Sequence, residues 1–481
     1  MLHFFKKNPS MTSLCALLCS FSLFFAFPVQ AFNGGTAQQI LNQAGLSPQN
    51  TAVRMVSMKT GQVLFEQNAN KSLIPASNMK VITSAAALHL LKPEFRFKTT
   101  LYSNASVRGG VLNGDLYLKG YGDPVLNDER LGELVQELRF VGVESITGNL
   151  YVDDSFFDAE TRGKGWKDTY GAAAYSARIS ALSLNLNTVE VQVKPGQMGQ
   201  TANVRLKPDN TFFDIINQTR TGSGQTRLKI SRQWINNRNQ IVVSGQVNVR
   251  GRTESESINL DKPGLYVGNV AQSMLKREGI HFQGKVTKGS TPAGASVLAS
   301  TLSPPLKDIV TQLNKDSVNL IAENLLKFMG ANFMGAPGTA AKGAQVVKER
   351  FLVSQVGLSP DLPIVMADGS GLSPLNRLTA TTLSRVLEYM FQQFDVSVDF
   401  MGSLAISGVD GTLKKRMNTP LLKRRVRAKT GFINGVSSLS GYIYTQKNEV
   451  IIFSFLMNHF TNYGAAIQAQ QRLCELLATT P

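Results

Sequence analysis

Ser77 and Lys80 stand three residues apart in Pro75-Ala76-Ser77-Asn78-Met79-Lys80, just ahead of an apolar, small-residue run from Val81 to Leu90. Positions i and i+3 share a helix face, so a helix opening here sets an amine beside a hydroxyl. A neutral lysine in that place takes the hydroxyl proton and makes Ser77 a nucleophile without a histidine. Backbone N–H groups of a first helical turn lack intrahelical partners and turn positive potential toward the serine oxygen.

Such chemistry needs partners from elsewhere in the chain. S-x-x-K, S-x-N and K-T-G together form the set used by penicillin-binding proteins and class A β-lactamases. They occur here as Ser77-Asn78-Met79-Lys80, Ser317-Val318-Asn319 and Lys429-Thr430-Gly431. Each motif also has a decoy. Ser273-Met274-Leu275-Lys276 lies deep within an expected helix. Ser183-Leu184-Asn185 falls in an alternating stretch that reads as a strand with ordinary surface polarity. Lys59-Thr60-Gly61 is the turn of an expected hairpin, where glycine is what the turn requires. Ser317, by contrast, opens an expected helix carrying Leu320, Ile321, Leu325 and Phe328, and Lys429 leads into the closing strands.

The elements that position these residues follow from pattern. Residues 51–57 and 62–66 read as a hairpin, and the Ser77 helix is expected to end near Leu91-Lys92-Pro93. Val111 to Leu118 contains Asn113-Gly114, a hairpin signal. A helix follows with Leu131, Leu134, Val135 and Leu138 on one face, then a break at Gly142 and a strand to Val152. Leu138, Gly142-Val143 and Gly148 are echoed by Leu275, Gly279-Ile280 and Gly284, a helix-strand repeat on either side of a mostly β stretch. Helices return after Ser303-Pro304-Pro305, and paired strands with a last helix close the chain. The expected organisation is a signal peptide over 1–31, one α/β domain from 32–96 and 300–481, an inserted α/β domain from 97–196 and 256–299, and a nested mostly-β domain over 197–255.

Composition sets outer bounds. A chain of 481 residues is too long for one ordinary core. Lys6 and Lys7 precede an apolar run from Leu14 to Phe27 and small residues at Val29-Gln30-Ala31, the pattern of a cleaved secretory signal, with an apolar run shorter than the ~20 residues a span needs. Cys15 and Cys19 leave with it. Cys474 then stands alone among leucines, where a packing role is expected. The net charge of +17 falls to +15 once Lys6 and Lys7 are lost, so anionic envelope surfaces should attract the chain loosely. No nucleic-acid motif accompanies that charge. His89, His281 and His459 are too scattered for a Ser-His-Asp triad or a zinc site, and neither metal nor cofactor is expected.

The flanks of the three motifs carry a resemblance. Pro75 to Lys80, Asn314 to Asn319 with Ala322-Glu323, Ala367-Asp368-Gly369-Ser370-Gly371-Leu372-Ser373, Gly408 to Leu413 and Ala428 to Gly431 resemble the low-molecular-mass class C penicillin-binding proteins, the D-alanyl-D-alanine carboxypeptidase/endopeptidase family S13. The likeness covers nearly all of the mature chain. It implies a β-lactamase/transpeptidase-like domain, an antiparallel sheet flanked by helices, interrupted by two nested accessory domains. The 236 residues between Lys80 and Ser317 agree with that, and the Glu-x-x-Leu-Asn motif of class A β-lactamases is absent.

The resemblance further implies a periplasmic D,D-peptidase acting on peptidoglycan stem peptides and cross-bridges, with β-lactams as covalent inhibitors. Ser77 would be the nucleophile and Lys80 its base, kept neutral by cationic neighbours and partial burial. Ser317 would relay a proton to the leaving amine, and Asn319 would hold Lys80 or the substrate amide. Lys429, Thr430 and Gly431 would form the carboxylate side, and the N–H groups of Ser77 and Phe432 an oxyanion hole, worth about 3–4 kcal/mol per donor. In the family, an acid and an aromatic of the second domain contact the diamino-acid side chain; Asp168 and Tyr175 are the matching candidates. Oligomeric state is not legible. A β-lactamase or esterase on the same scaffold and a non-catalytic wall-binding protein are the alternatives.

Overall fold

The computed structural model describes residues 32–236 and 238–480; the expected signal segment, 1–31, lies outside them. A six-stranded antiparallel sheet carries the chemistry. Its order is Ala405–Ile406, Val426–Ile433, Val436–Tyr444, Val450–Asn458, Thr51–Ser57 and Val63–Gln67. The first hairpin therefore completes a sheet begun by the last strands. Val436–Tyr444 and Val450–Asn458 are buried almost throughout, because helices cover both faces of the sheet. The helices Gly34–Gln43 and Tyr463–Ala478 close one face, with Cys474 in that core, where burial pushes its thiol up. Helix Met79–Leu91 packs on the other face with Leu306–Asp316, Asn319–Met334 and Ala380–Gln392. Among the described residues no helix is long and apolar enough to cross a membrane.

Between the two parts of this unit, the inserted chain forms four further sheets. The helix-strand echo becomes visible as physical neighbours. Ser145–Ile146 pairs in parallel with His281–Phe282, and Leu150–Asp153 with Val286–Lys288. The helices ahead of them, Asp128–Phe140 and Pro263–Arg277, bury Leu131, Leu134, Val135 and Leu138 and Val270, Met274 and Leu275.

The Asn113-Gly114 stretch is not a hairpin. Val111–Leu112 pairs in parallel with Ser145–Ile146, and Leu116–Gly120 with Leu150–Asp153, so the dipeptide carries the chain from one sheet to the next. It is a third copy of the repeat. A Cβ on Gly148 would sit 2.3 Å from the Gly114 carbonyl oxygen, and one on Gly284 would sit 2.0 Å from that of Gly148, so the three crossings stack too closely for side chains. Asn149 N–H donates to Asp115 Oδ1 at 2.8 Å and Lys285 N–H to Asn149 Oδ1 at 2.9 Å, the same bond repeated one copy along.

The inner β unit is two three-stranded sheets. One places Thr188–Lys194 between Asn203–Lys207 and Glu254–Asn259; the other places Arg238–Asn248 between Phe213–Gly222 and Arg227–Ile235. The expected limits of 197 and 255 cut through the first of these, since its central strand ends at Lys194 and its edge strand runs to Asn259. Val191, Phe213 and Ile241 share one apolar core with Leu118, Leu150 and Tyr266, so the inner and outer inserted parts are packed as one body.

Candidate active site

Ser77 sits on a 3-10 turn, Ala76–Asn78, that runs straight into helix Met79–Leu91. Ala76 holds a left-handed φ of 45°, an uncommon conformation for a side-chain-bearing residue. Packing enforces it. Asn78 Nδ2 donates to the Lys429 carbonyl at 3.1 Å and to Ser438 Oγ at 2.7 Å, and Ser438 Oγ donates to the Pro75 carbonyl at 2.6 Å. A Cβ on Gly431 would lie 2.9 Å from Ser77 N, so only glycine lets the strand Val426–Ile433 approach the Ser77 amide.

Lys80 Nζ lies 3.0 Å from Ser77 Oγ, 2.6 Å from Asn319 Oδ1 and 2.7 Å from the Ser370 carbonyl oxygen. Lys80 is fully buried rather than partly so, and burial lowers its pKa to about 7 against the pull of Asp368 and Glu323. Burial is thus the main cause of the shift, and the carboxylates of Asp368 and Glu323 oppose it. A neutral amine has two N–H bonds and one lone pair. Asn319 and Ser370 take the two N–H bonds, which leaves the lone pair for the Ser77 hydroxyl.

Ser317 occupies a left-handed position, φ 59°, between helices Leu306–Asp316 and Asn319–Met334. Its Oγ accepts from Lys429 Nζ at 2.9 Å, which also donates to the Thr430 carbonyl at 2.9 Å. Burial holds the Lys429 amine well below its usual range, and Lys80 adds to that. Thr430 Oγ1 donates to Thr412 Oγ1 at 2.8 Å, and Phe432 stands exposed against Tyr463, ring centroids 4.6 Å apart. Ser77, Ser317, Asn319, Phe432 and Tyr175 line one cleft of about 510 Å³.

The decoys are elsewhere. Ser273 lies on helix Pro263–Arg277, its Oγ donating to the Asn269 carbonyl. Lys59-Thr60-Gly61 is the hairpin turn, with Gly61 at φ 72°. Ser183 is not on a strand and is not surface: it is buried, donating to the Ser180 carbonyl at 2.9 Å and accepting from Asn187 Nδ2 at 2.9 Å.

Asp168 stands beside the cleft. Its carboxylate pairs with Arg162, which holds it below the usual carboxylate range, and it does not line the cleft; Lys167, Tyr170 and Tyr175 do. Sequence reasoning also gave no role to a buried acidic cluster beneath Lys80. Asp368 accepts from Gly371 N–H at 2.8 Å, Ser373 N–H at 2.7 Å, Asn376 Nδ2 at 2.6 Å and Trp166 Nε1 at 2.9 Å. Glu323 accepts from Gly369 N–H at 3.1 Å and Ser370 N–H at 2.9 Å, and burial, with Asp368 nearby, raises its pKa to about 8. Together they fix the loop whose Ser370 carbonyl holds Lys80. Gly371, at φ 82°, lies so close to the Ser77 turn that a Cβ would meet the Ala76 oxygen at 1.8 Å. An acid within a Gly- and Ser-rich run was the signal available in the sequence.

The chain has relatives of known name. The D-alanyl-D-alanine carboxypeptidase of Actinomadura sp. (strain R39) is 33% identical over 437 residues, covering 87% of this chain and 79% of that protein. The D-alanyl-D-alanine carboxypeptidase DacB of Haemophilus influenzae is 27% identical over 459 residues, 94% of each chain. The crystal structure of penicillin binding protein 4 (dacB) from Haemophilus influenzae superposes with a TM-score of 0.80 at 26% identity, over 92% of this chain and 99% of that one. The same protein complexed with a β-lactam gives a TM-score of 0.75 at 25% identity. The family match runs over residues 35–480, almost the whole described chain, and this protein belongs to the D-Ala-D-Ala carboxypeptidase 3 (S13) family.

Proposed function

We propose that this chain is a periplasmic serine D,D-peptidase that removes terminal D-alanine from peptidoglycan stem peptides and cuts D-Ala–diamino-acid cross-bridges. The observation that carries it is the Lys80 amine, fully buried and 3.0 Å from Ser77 Oγ, with both its N–H bonds taken by Asn319 and Ser370. Ser77 Oγ attacks the carbonyl between the two terminal residues while its proton passes to Lys80. The oxyanion is held by the N–H groups of Ser77 and Phe432. Ser317, bridging toward Lys429, delivers its hydroxyl proton to the departing amine and regains one from the protonated Lys80, and the C–N bond breaks. Lys429 and Thr430 hold the substrate carboxylate, whose charge offsets the burial that depresses Lys429. Water then hydrolyses the Ser77 ester and the proton returns through Lys80.

β-Lactams enter the same path and remain on Ser77. The carboxypeptidase relatives and the β-lactam complex of the Haemophilus influenzae protein support this reading. The test is a fluorescent penicillin label together with release of D-alanine from a pentapeptide. Both should vanish in Ser77→Ala and persist in Ser273→Ala. Labelling that survives Ser77→Ala overturns the assignment, and rapid turnover of the acylated penicillin would make the chain a β-lactamase instead.

A further inference from the structure

The sheet that carries Lys429 also carries a polar rung across five of its six strands. Residues directly opposite in neighbouring strands project to the same face. Lys429 stands opposite Ser440, Ser440 opposite Ser454, Ser454 opposite Arg54, and Arg54 opposite Glu66. Lys429, Ser440 and Ser454 are fully buried. At the far end Arg54 pairs with Glu66, which is half exposed, so the rung leads from the candidate site to solvent at the sheet's edge. Three interstrand steps of about 4.8 Å separate Lys429 from Arg54, about 14 Å in all.

Serine is the unexpected residue here. The adjoining rungs on the same face place Tyr442 with Ile452 on one side and Leu456 with Ala52 on the other, all in the core shared with helix Met79–Leu91. A buried hydroxyl costs stability unless it is bonded. Yet Ser440 Oγ, Ser454 Oγ and Arg54 Nε are each buried and pair with no protein group among the described residues. These three atoms belong to consecutive positions of one rung, and ordered water is what satisfies buried polar groups that lack a protein partner. Lys429, at the inner end, has a use for a proton. Burial holds its amine low, and its Nζ donates to Ser317 Oγ and the Thr430 carbonyl. A carboxylate arriving beside it favours the ammonium.

We propose that this rung is a hydrated proton relay, in which water joins Ser440, Ser454 and the Arg54 end, and through which Lys429 draws its proton from solvent. The inference rests on the D,D-peptidase reading and adds Ser440 and Ser454 as relay residues that act through Lys429 and touch no substrate. With a peptide over the cleft and the Lys80 proton committed to Ser317, the far edge of the sheet is the remaining source. Each water or hydroxyl accepts a proton on a lone pair and passes its own to the next. The Lys429 amine gains one N–H bond, one proton leaves the solvent at the Glu66 end, and no other bond changes. Arg54 keeps its charge throughout, since a guanidinium does not lose its proton in a protein. The path runs in reverse when the carboxylate departs.

The test sets Ser454→Thr against Ser454→Val, and Ser440→Thr against Ser440→Val, pairs of one shape that differ in the hydroxyl. Release of D-alanine from a pentapeptide is read in H2O and in D2O. The threonine variants should stay within about twofold of the parent, and each valine variant should lose about tenfold in kcat at unchanged KM, with a larger solvent isotope effect. A packing role alone would spare valine, which suits the apolar face. Valine variants that match their threonine partners in kcat and isotope effect overturn the relay. So does a crystal structure of the protein with no water bonded to Ser440 Oγ or Ser454 Oγ, a measurement that needs no variant to fold. A parent that releases no D-alanine overturns the peptidase reading and the relay with it.

Discussion

Replacing Lys80 by methionine separates two consequences of burying an amine. Lys80 has no exposed surface, and burial holds its pKa at about 7 against an ordinary 10.5. Between those values the unfolded chain binds a proton that the folded chain sheds, so the stability contributed at this site rises with pH through that window and falls again as pH drops toward 7. Worked from the two values, the penalty is about 4 kcal/mol at pH 7 and about 1 kcal/mol at pH 10. Methionine removes the penalty at every pH. It also removes the bonds to Asn319 and Ser370, worth about 1 kcal/mol each. The variant should therefore be about 2 kcal/mol more stable than its parent at pH 7 and about 1 kcal/mol less stable at pH 10. Lys429 titrates in both proteins and drops out of the difference, apart from its repulsion with Lys80. Urea unfolding at fixed pH, followed through Trp166 and Trp234, measures this. Acylation of Ser77 by a β-lactam should fall by about 10²–10⁴-fold in the same variant. Parallel stability profiles for parent and variant from pH 7 to pH 10 would refute a free amine at Lys80.

The same amine sets a rate profile: acylation should rise about tenfold per pH unit below about 7 and level off above it, read by stopped-flow with a chromogenic β-lactam. Gly371→Ala forces a Cβ into the Ala76 carbonyl at a left-handed φ, and should cost about 3 kcal/mol in urea unfolding along with most of the penicillin labelling. Asp368→Asn turns an amide N–H toward donors that a carboxylate accepts. It should cost about 3 kcal/mol and shift Trp166 emission to the red as the indole loses its partner.

What the sequence revealed was chemistry whose partners sit one helical turn apart or adjoin in a motif. Ser77 and Lys80, Ser317 and Asn319, and Lys429 to Gly431 were legible as candidates because the proposed reaction demands those types at those spacings. What it hid depended on distant backbone. Asn113-Gly114 satisfies the local chemistry of a hairpin, yet its true partners are Ser145–Ile146 and Leu150–Asp153, more than thirty residues away, and glycine is there for stacking. Thr188–Lys194 alternates as a strand should, but only its pairing with Glu254–Asn259 shows which sheet owns it. The candidate Asp168 and its neighbour Lys167 are of opposite sign. Which one borders the cleft is decided by Trp166 reaching Asp368, a contact spanning two hundred residues.

That dependence reaches the Lys80 amine itself. Asn319 has both ends of its amide engaged: Nδ2 donates to the Tyr175 carbonyl at 2.8 Å, and Oδ1 accepts from Lys80. An unconstrained amide presents oxygen or nitrogen with little preference, and a nitrogen turned toward Lys80 would set donor against donor. The Tyr175 carbonyl removes the choice, because it accepts and cannot donate. Further along the same helix, Asn324 donates to the Ser180 carbonyl at 3.1 Å and buried Lys327 pairs with Asp158, so the inserted loop is fastened over three successive turns. The insertion between the first two motifs is therefore part of the candidate site: it orients one of the two acceptors that leave the Lys80 lone pair facing Ser77.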